Sequence, residues 1–123
     1  MKGYGVHCML TSHHLNAVEA AVLAAMSEMC SAPDALREQI AAAAVVSRRN
    51  TGAGFFTELK IDKFTQPVPE KIICNIFANI EGCKNPVAFV LFLKDGHIDI
   101  LEGASVEDST VDLDFSSANF NLI

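Results

Sequence analysis

A chain of 123 residues, half hydrophobic and one fifth charged, has the size and composition of one globular domain with a single core, which excludes a disordered chain. Its 9 Lys and Arg against 15 Asp and Glu give a formal charge of −6, which excludes a nucleic-acid binder built on clustered cations and disfavours an anionic membrane surface. The imbalance is local: residues 95–123 hold seven of the acids and no Lys or Arg.

The longest apolar runs, Ala20–Met26 and Val87–Leu93, are seven residues each, far short of the roughly 20 that span a bilayer. Met1-Lys2-Gly3-Tyr4-Gly5 has one cation and no apolar run, so no export signal is read. Cys8, Cys30, Cys74 and Cys83 show no Cys-x-x-Cys spacing. The expectation is a cytoplasmic protein with reduced thiols.

Residues 1–123 read as one domain: a loose arm over 1–11, a helical part over 12–47 and a sheet part over 52–123. Ser12 can cap a helix that begins at His13. Leu15, Val18, Val22, Ala25, Met26 and Met29 then share a stripe, with polar residues opposite only at Asn16, Glu19 and Ser27. Such an apolar helix is either buried under a sheet or used in a helix-mediated dimer. Ser31-Ala32-Pro33-Asp34 starts a second helix, with proline in its first turn and an acid near the positive end of the dipole. Its end is open, because Val45-Val46 suit a strand as well as a last helical turn.

From Gly52 the period becomes two. Phe55, Thr57, Leu59 and Ile61 form one row; Ile72, Cys74, Ile76, Ala78 and Ile80 form another, which makes Cys74 a small core residue. Pro67 and Pro69 mark the connection between these strands. Asp95-Gly96, between apolar runs, predicts a two-residue type I′ hairpin. A regular ladder from that turn sets Lys94 opposite His97, Leu93 opposite Ile98, Leu91 opposite Ile100 and Phe89 opposite Glu102. Val111, Leu113 and Phe115 alternate with Asp112 and Asp114 as an acid-blunted edge strand. The predicted class is α+β: two N-terminal helices on one face of a four- or five-stranded, mostly antiparallel sheet.

Two places invite chemistry. In Arg48-Arg49-Asn50-Thr51-Gly52-Ala53-Gly54-Phe55-Phe56-Thr57, closely spaced glycines can expose backbone N–H groups, and arginine can hold a carboxylate or phosphate with two parallel bonds. The candidate ligand-binding residues are therefore Arg48, Arg49, Thr51, Gly52, Gly54 and Thr57. The same stretch also reads as a helix-to-strand corner whose glycines only supply turn geometry. Glu102 is the second place. In the regular register it ends an apolar row, where it either pairs with Arg48 or Arg49 or escapes to solvent before Gly103. Glu81 joins it if the two acids face one another on adjacent strands.

No catalytic elbow or Cys–His pair is present, and no cofactor motif. His7-Cys8 and His13-His14 are adjacent pairs, whereas tetrahedral zinc favours ligands two to four residues apart, so no metal site is assigned.

Arg48-x-x-Thr51-Gly52-x-Gly54-Phe55-Phe56-Thr57, followed by Phe89-x-Leu91-Phe92-x-x-x-Gly96-x-Ile98-x-x-Leu101-Glu102-Gly103, resembles a family of small uncharacterised bacterial domains. The resemblance covers roughly residues 36–105 and implies one recurring unit, without an activity to carry over. Three functions stay open. The first is a non-catalytic module that binds a protein or ligand and self-associates as a homodimer. The second is a site for a small anionic ligand, or a hydrolytic one, built on Arg48, Arg49, Thr57, Glu81 and Glu102. The third is an acidic immunity-type inhibitor that covers a basic partner.

Overall fold

The computed structural model describes residues 14–123. Its first helix, α1 (Ala17–Met29), begins later than a Ser12 cap would place it; Ser12 and His13 lie outside the described residues. Asn16 is the cap. Its side chain accepts the Glu19 N–H, and the Glu19 carboxylate accepts the Asn16 N–H, a reciprocal capping box. The second helix, α2 (Pro33–Ala42), carries its proline in the first turn, as expected.

That helix stops inside the alanine run. Ala43 and Ala44 belong to a strand, β1 (Ala43–Asn50), where they pair with Ile61 and Lys60 of β2 (Gly54–Ile61). Sheet pairing overrides the helix preference of alanine. The stretch before the glycines is thus a strand, and Thr51–Ala53 is a β-hairpin loop instead of a helix-to-strand corner.

The remaining strands are β3 (Ile72–Ile80), β4 (Val87–Lys94), β5 (His97–Ala104) and β6 (Phe120–Leu122). All six form one antiparallel sheet in the order β1-β2-β5-β4-β3-β6, so the predicted class holds with six strands in place of four or five. The β2–β3 connection crosses the end of the β4–β5 hairpin, where Val68 donates to the Gly96 carbonyl. Gln39 ties α2 to this crossing. Fully buried, it donates to the Gln66 and Gly96 carbonyls and accepts the Ile98 N–H. Every polar atom of that side chain has a partner, which is what makes its burial tolerable.

Asp95 (φ 55°) and Gly96 (φ 83°) form the two-residue turn with both residues left-handed, as a type I′ hairpin requires. Lys94 faces His97 and Leu93 faces Ile98 as expected. Beyond them the regular ladder is wrong. Asp99 is an extra residue on β5, so Leu91 faces Leu101 and Phe89 faces Gly103. A one-residue slip turns every later side chain to the other face, and Glu102 therefore lies opposite Val90. Further bulges fall at Val46 in β1 and at Cys74-Asn75 in β3, where Asn75 has φ 73°. The latter leaves Ile72 and Cys74 exposed while Ile73, Ala78 and Ile80 are buried, which corrects the core placement of Cys74.

Val111, Leu113 and Phe115 do not form a strand. The segment folds into turns held from the β1–β2 hairpin: Thr110, fully buried, accepts the Gly54 N–H on its hydroxyl and donates its own N–H to Gly52. Side chain-to-backbone bonds of this kind compete with ladder formation. Phe115 then caps the core against Phe55, ring centroids 4.4 Å apart. The edge strands are β1 and the short β6 beside β3.

The sheet's inner face and the two helices enclose the core. Val18, Val22, Leu23 and Met26 of α1 and Leu36 of α2 meet Val45, Phe55, Leu59, Ile73, Phe89, Leu91 and Leu101. The surplus apolar residues of α1 are thereby accounted for: its exposed positions are Ala17, Ala20, Ala24, Glu28 and Met29. Gly103 makes room for this packing, because a Cβ there would sit 2.6 Å from the Phe55 ring and 3.0 Å from Phe89. The outer face has no layer over it among the described residues.

Candidate functional site

The sheet sorts the candidate residues by strand alternation. Arg48 and Thr57 are cross-strand partners on the inner face of β1 and β2. Arg49 pairs with Phe56, and both point outward with Glu102, the β5 partner of Phe56. Glu81 follows β3 and accepts a bond from Asn119 near the β6 edge. Strand β4 separates β3 from β5, so Glu81 and Glu102 do not face one another on adjacent strands. One pocket drawing on Arg48, Arg49, Thr57, Glu81 and Glu102 is not formed.

The partner of Arg48 is Glu19. The guanidinium Nε donates to Glu19 Oε2 and Nη2 to Oε1, each at 2.8 Å, a bidentate pair. The Thr57 hydroxyl donates to Oε2 at 2.5 Å and the Asn16 N–H to Oε1 at 2.8 Å. Arg48 Nη2 also meets the His14 carbonyl at 2.6 Å. Glu19 is wholly buried and Arg48 is 28% exposed at its side chain. Burial alone would push the Glu19 carboxyl up. The bonds from Arg48, Thr57 and Asn16, together with the Arg48 charge, outweigh that and hold it below the ordinary carboxylate value. The same pairing, opposed by burial, raises Arg48.

The geometry limits what this pair can do. A carboxylate offers about four acceptor positions, and those of Glu19 are taken by Arg48 twice, Thr57 and Asn16. None is left to accept a proton from a substrate in this arrangement. The cleft beside it, about 250 Å³, is lined by Asn16, Arg48, Leu113, Asp114, Phe115 and Ser116. Its one free-standing acid, Asp114, accepts both the N–H and the hydroxyl of Ser116. The glycine loop is similarly self-satisfied. Thr51 N–H goes to the Gly54 carbonyl, Gly52 N–H to Asn50, Ala53 N–H to the Thr51 hydroxyl and Gly54 N–H to Thr110. An external anion finds no unclaimed N–H there.

Glu19 is what the helical periodicity missed, by assigning it to a solvated face. The spacing Asn16-x-x-Glu19 carries the signal, since it is a capping-box pattern ahead of an apolar run. The pair has a pH signature. A carboxyl lowered in the folded state stabilises the protein above its unfolded value, about 4.3, and that contribution is lost as pH falls through the folded value. Denaturant midpoints should therefore drop as pH falls below about 5. Glu70, Asp108 and Asp114 are also lowered by hydrogen bonds and share in this. The Glu19 part is the portion of the drop that Glu19→Gln removes; an unchanged acid slope in that variant would rule it out.

On the outer face Arg49 lies over the Phe56 ring at 5.7 Å, beside a shallow groove of about 550 Å³ formed with Ser47, Glu58 and Ile100. From there an apolar surface crosses the sheet through Val90 and Phe92 to the exposed Ile72 and Phe77. Among the described residues Glu102 forms no ion pair. No group of three or more His, Cys, Asp or Glu among the described residues is placed to hold a metal ion; His7, Cys8 and His13 lie outside them. No described helix is long and apolar enough to cross a membrane. Comparison with family models, with curated proteins and with solved structures finds no match to this chain.

Proposed function

We propose that the protein is a non-catalytic interaction module that docks a protein partner on the outer face of its sheet. The observation that carries this is the apolar surface formed by the half-buried Phe56, Val90, Phe92 and Ile100 and the exposed Ile72 and Phe77, with no layer over it among the described residues. In an antiparallel sheet with one covered face, the other is ordinarily polar. Contiguous apolar surface rimmed by charge is instead the mark of a docking site. Two further features favour binding over chemistry: the acceptor positions of Glu19 are filled, and the N–H groups of the glycine loop are used internally. Free thiols at Cys30, Cys74 and Cys83 suit a reducing, cytoplasmic setting.

The acidic-inhibitor reading has less behind it. The Asp108 carboxylate accepts the Lys84 and Asn85 N–H groups of the β3–β4 connection, and Asp114 is held by Ser116, so two of the C-terminal acids fasten the chain's own turns.

A photo-crosslinking residue at position 90, in the middle of the outer face, tests the reading in living cells against the same residue at position 20 on the exposed side of α1. Covalent protein adducts are expected from position 90 and not from position 20. No adduct from position 90 overturns it.

A further inference from the structure

We infer that the occupant of the outer face is a second copy of this chain, in an isologous dimer that sets Arg49 of each copy against Glu102 of the other. This rests on the docking reading above and names its partner.

Charge selects the partner. At −6, two copies repel one another chiefly through the stretch 95–123, which holds seven acids and no Lys or Arg. The outer face is the exception. By strand alternation it takes Arg49, Lys60 and Lys94 from β1, β2 and β4 against Glu58 and Glu102 from β2 and β5, with Asp62 beside Lys60 at 3.7 Å, a balance of charge. It is where a like-charged copy can approach without a net penalty.

Glu102 explains why contact must be matched and not merely apolar. It lies between Phe56 on one side and Val90 on the other, within the apolar surface. Covering that surface takes Glu102 out of water, and an uncompensated carboxylate there is strongly unfavourable. The face carries the group required. Arg49, Phe56, Glu102 and Val90 lie in one row across β1, β2, β5 and β4. With neighbouring strands about 4.8 Å apart, Arg49 and Glu102 flank Phe56 at roughly 10 Å between backbones, and the Arg49 guanidinium lies over the Phe56 ring with no ion pair to Glu102 within the copy. A two-fold contact makes the same patch its own complement: what residue i meets on the partner, the partner's i meets in return. The cation one copy lacks at Glu102 is the one the other presents at its Arg49. Arginine on an aromatic face, next to apolar residues, is also the composition of an interface centre.

Sedimentation equilibrium of the full chain, with Arg49→Glu, Glu102→Arg and the double reversal, decides it. The wild type is expected at twice 13.2 kDa, each single reversal to weaken the dimer at least tenfold, and the double reversal to restore it. Far-UV circular dichroism confirms that each variant is folded. A wild type of single-chain mass at 100 µM overturns the inference, as does a dimer indifferent to both reversals or one the double reversal fails to restore. The two proposals fail separately: adducts at position 90 to a different protein, with a monomeric chain, keep the docking face and remove self-association.

Discussion

Replacing Arg48 with methionine is expected to destabilise the protein by about 3–5 kcal/mol at neutral pH, the cost of leaving the wholly buried Glu19 carboxylate without the half-buried cation that pairs with it. The guanidinium supplies two of the four bonds to Glu19, whose side chain has no exposure to solvent. What remains is the Thr57 hydroxyl and the Asn16 N–H, insufficient compensation for a full charge out of water. Since a domain of this kind is held by about 5–15 kcal/mol in total, the variant should sit near the edge of folding. The damage is to the uncompensated charge more than to packing, so removing that charge should relieve it. Glu19→Gln combined with Arg48→Met is expected to be more stable than Arg48→Met alone, although it carries one more substitution. Equilibrium urea unfolding reads both. An Arg48→Met variant within about 1 kcal/mol of wild type would show that the pair is not a structural fastening.

The pair matters for position as much as for energy. Glu19 belongs to the first turn of α1, while Arg48 and Thr57 belong to β1 and β2. Their convergence sets the N-terminal end of the helix over the first hairpin. The same strand alternation that turns Arg48 inward turns Arg49 outward, onto the face proposed to dock a partner. One Arg-Arg dipeptide thus serves both sides of the sheet.

The parts of this fold that were legible in the sequence are those governed by a few adjacent residues. Asp95-Gly96 forms the predicted turn because both positions need positive φ and these residues tolerate it. Pro33 opens α2 for an equally local reason. Register was legible only as far as the first bulge. Asp99 is a single extra residue whose side chain does not announce it, yet it moves Glu102 from the expected core row to the outer face. Cys74 was misplaced by the same mechanism at Asn75. Alternation at Val111–Phe115 mimics a strand, but Asn50 and Thr110 claim the backbone and leave Phe115 as a plug on Phe55. The Arg48–Glu19 pair brings together two residues 29 positions apart, which neither local propensity nor periodicity encodes.

Two phenylalanines on opposite faces give the most direct test of the claim that the outer face is free of structural duty. Phe89, on the inner face of β4, is 1% exposed and touches the Phe55 ring edge-on at 5.8 Å. Phe77, on the outer face of β3 and opposite Ala88, is 42% exposed. Phe89→Ala should cost about 3–5 kcal/mol, as for a large core truncation. Phe77→Ala should cost less than about 1 kcal/mol, the scale of a cross-strand surface contact. The measurement is urea unfolding of both variants at a dilution where light scattering reports a single chain. A wide gap between them is the expected result; a Phe77→Ala loss equal to that of Phe89→Ala would show instead that the outer face is part of what holds the chain folded.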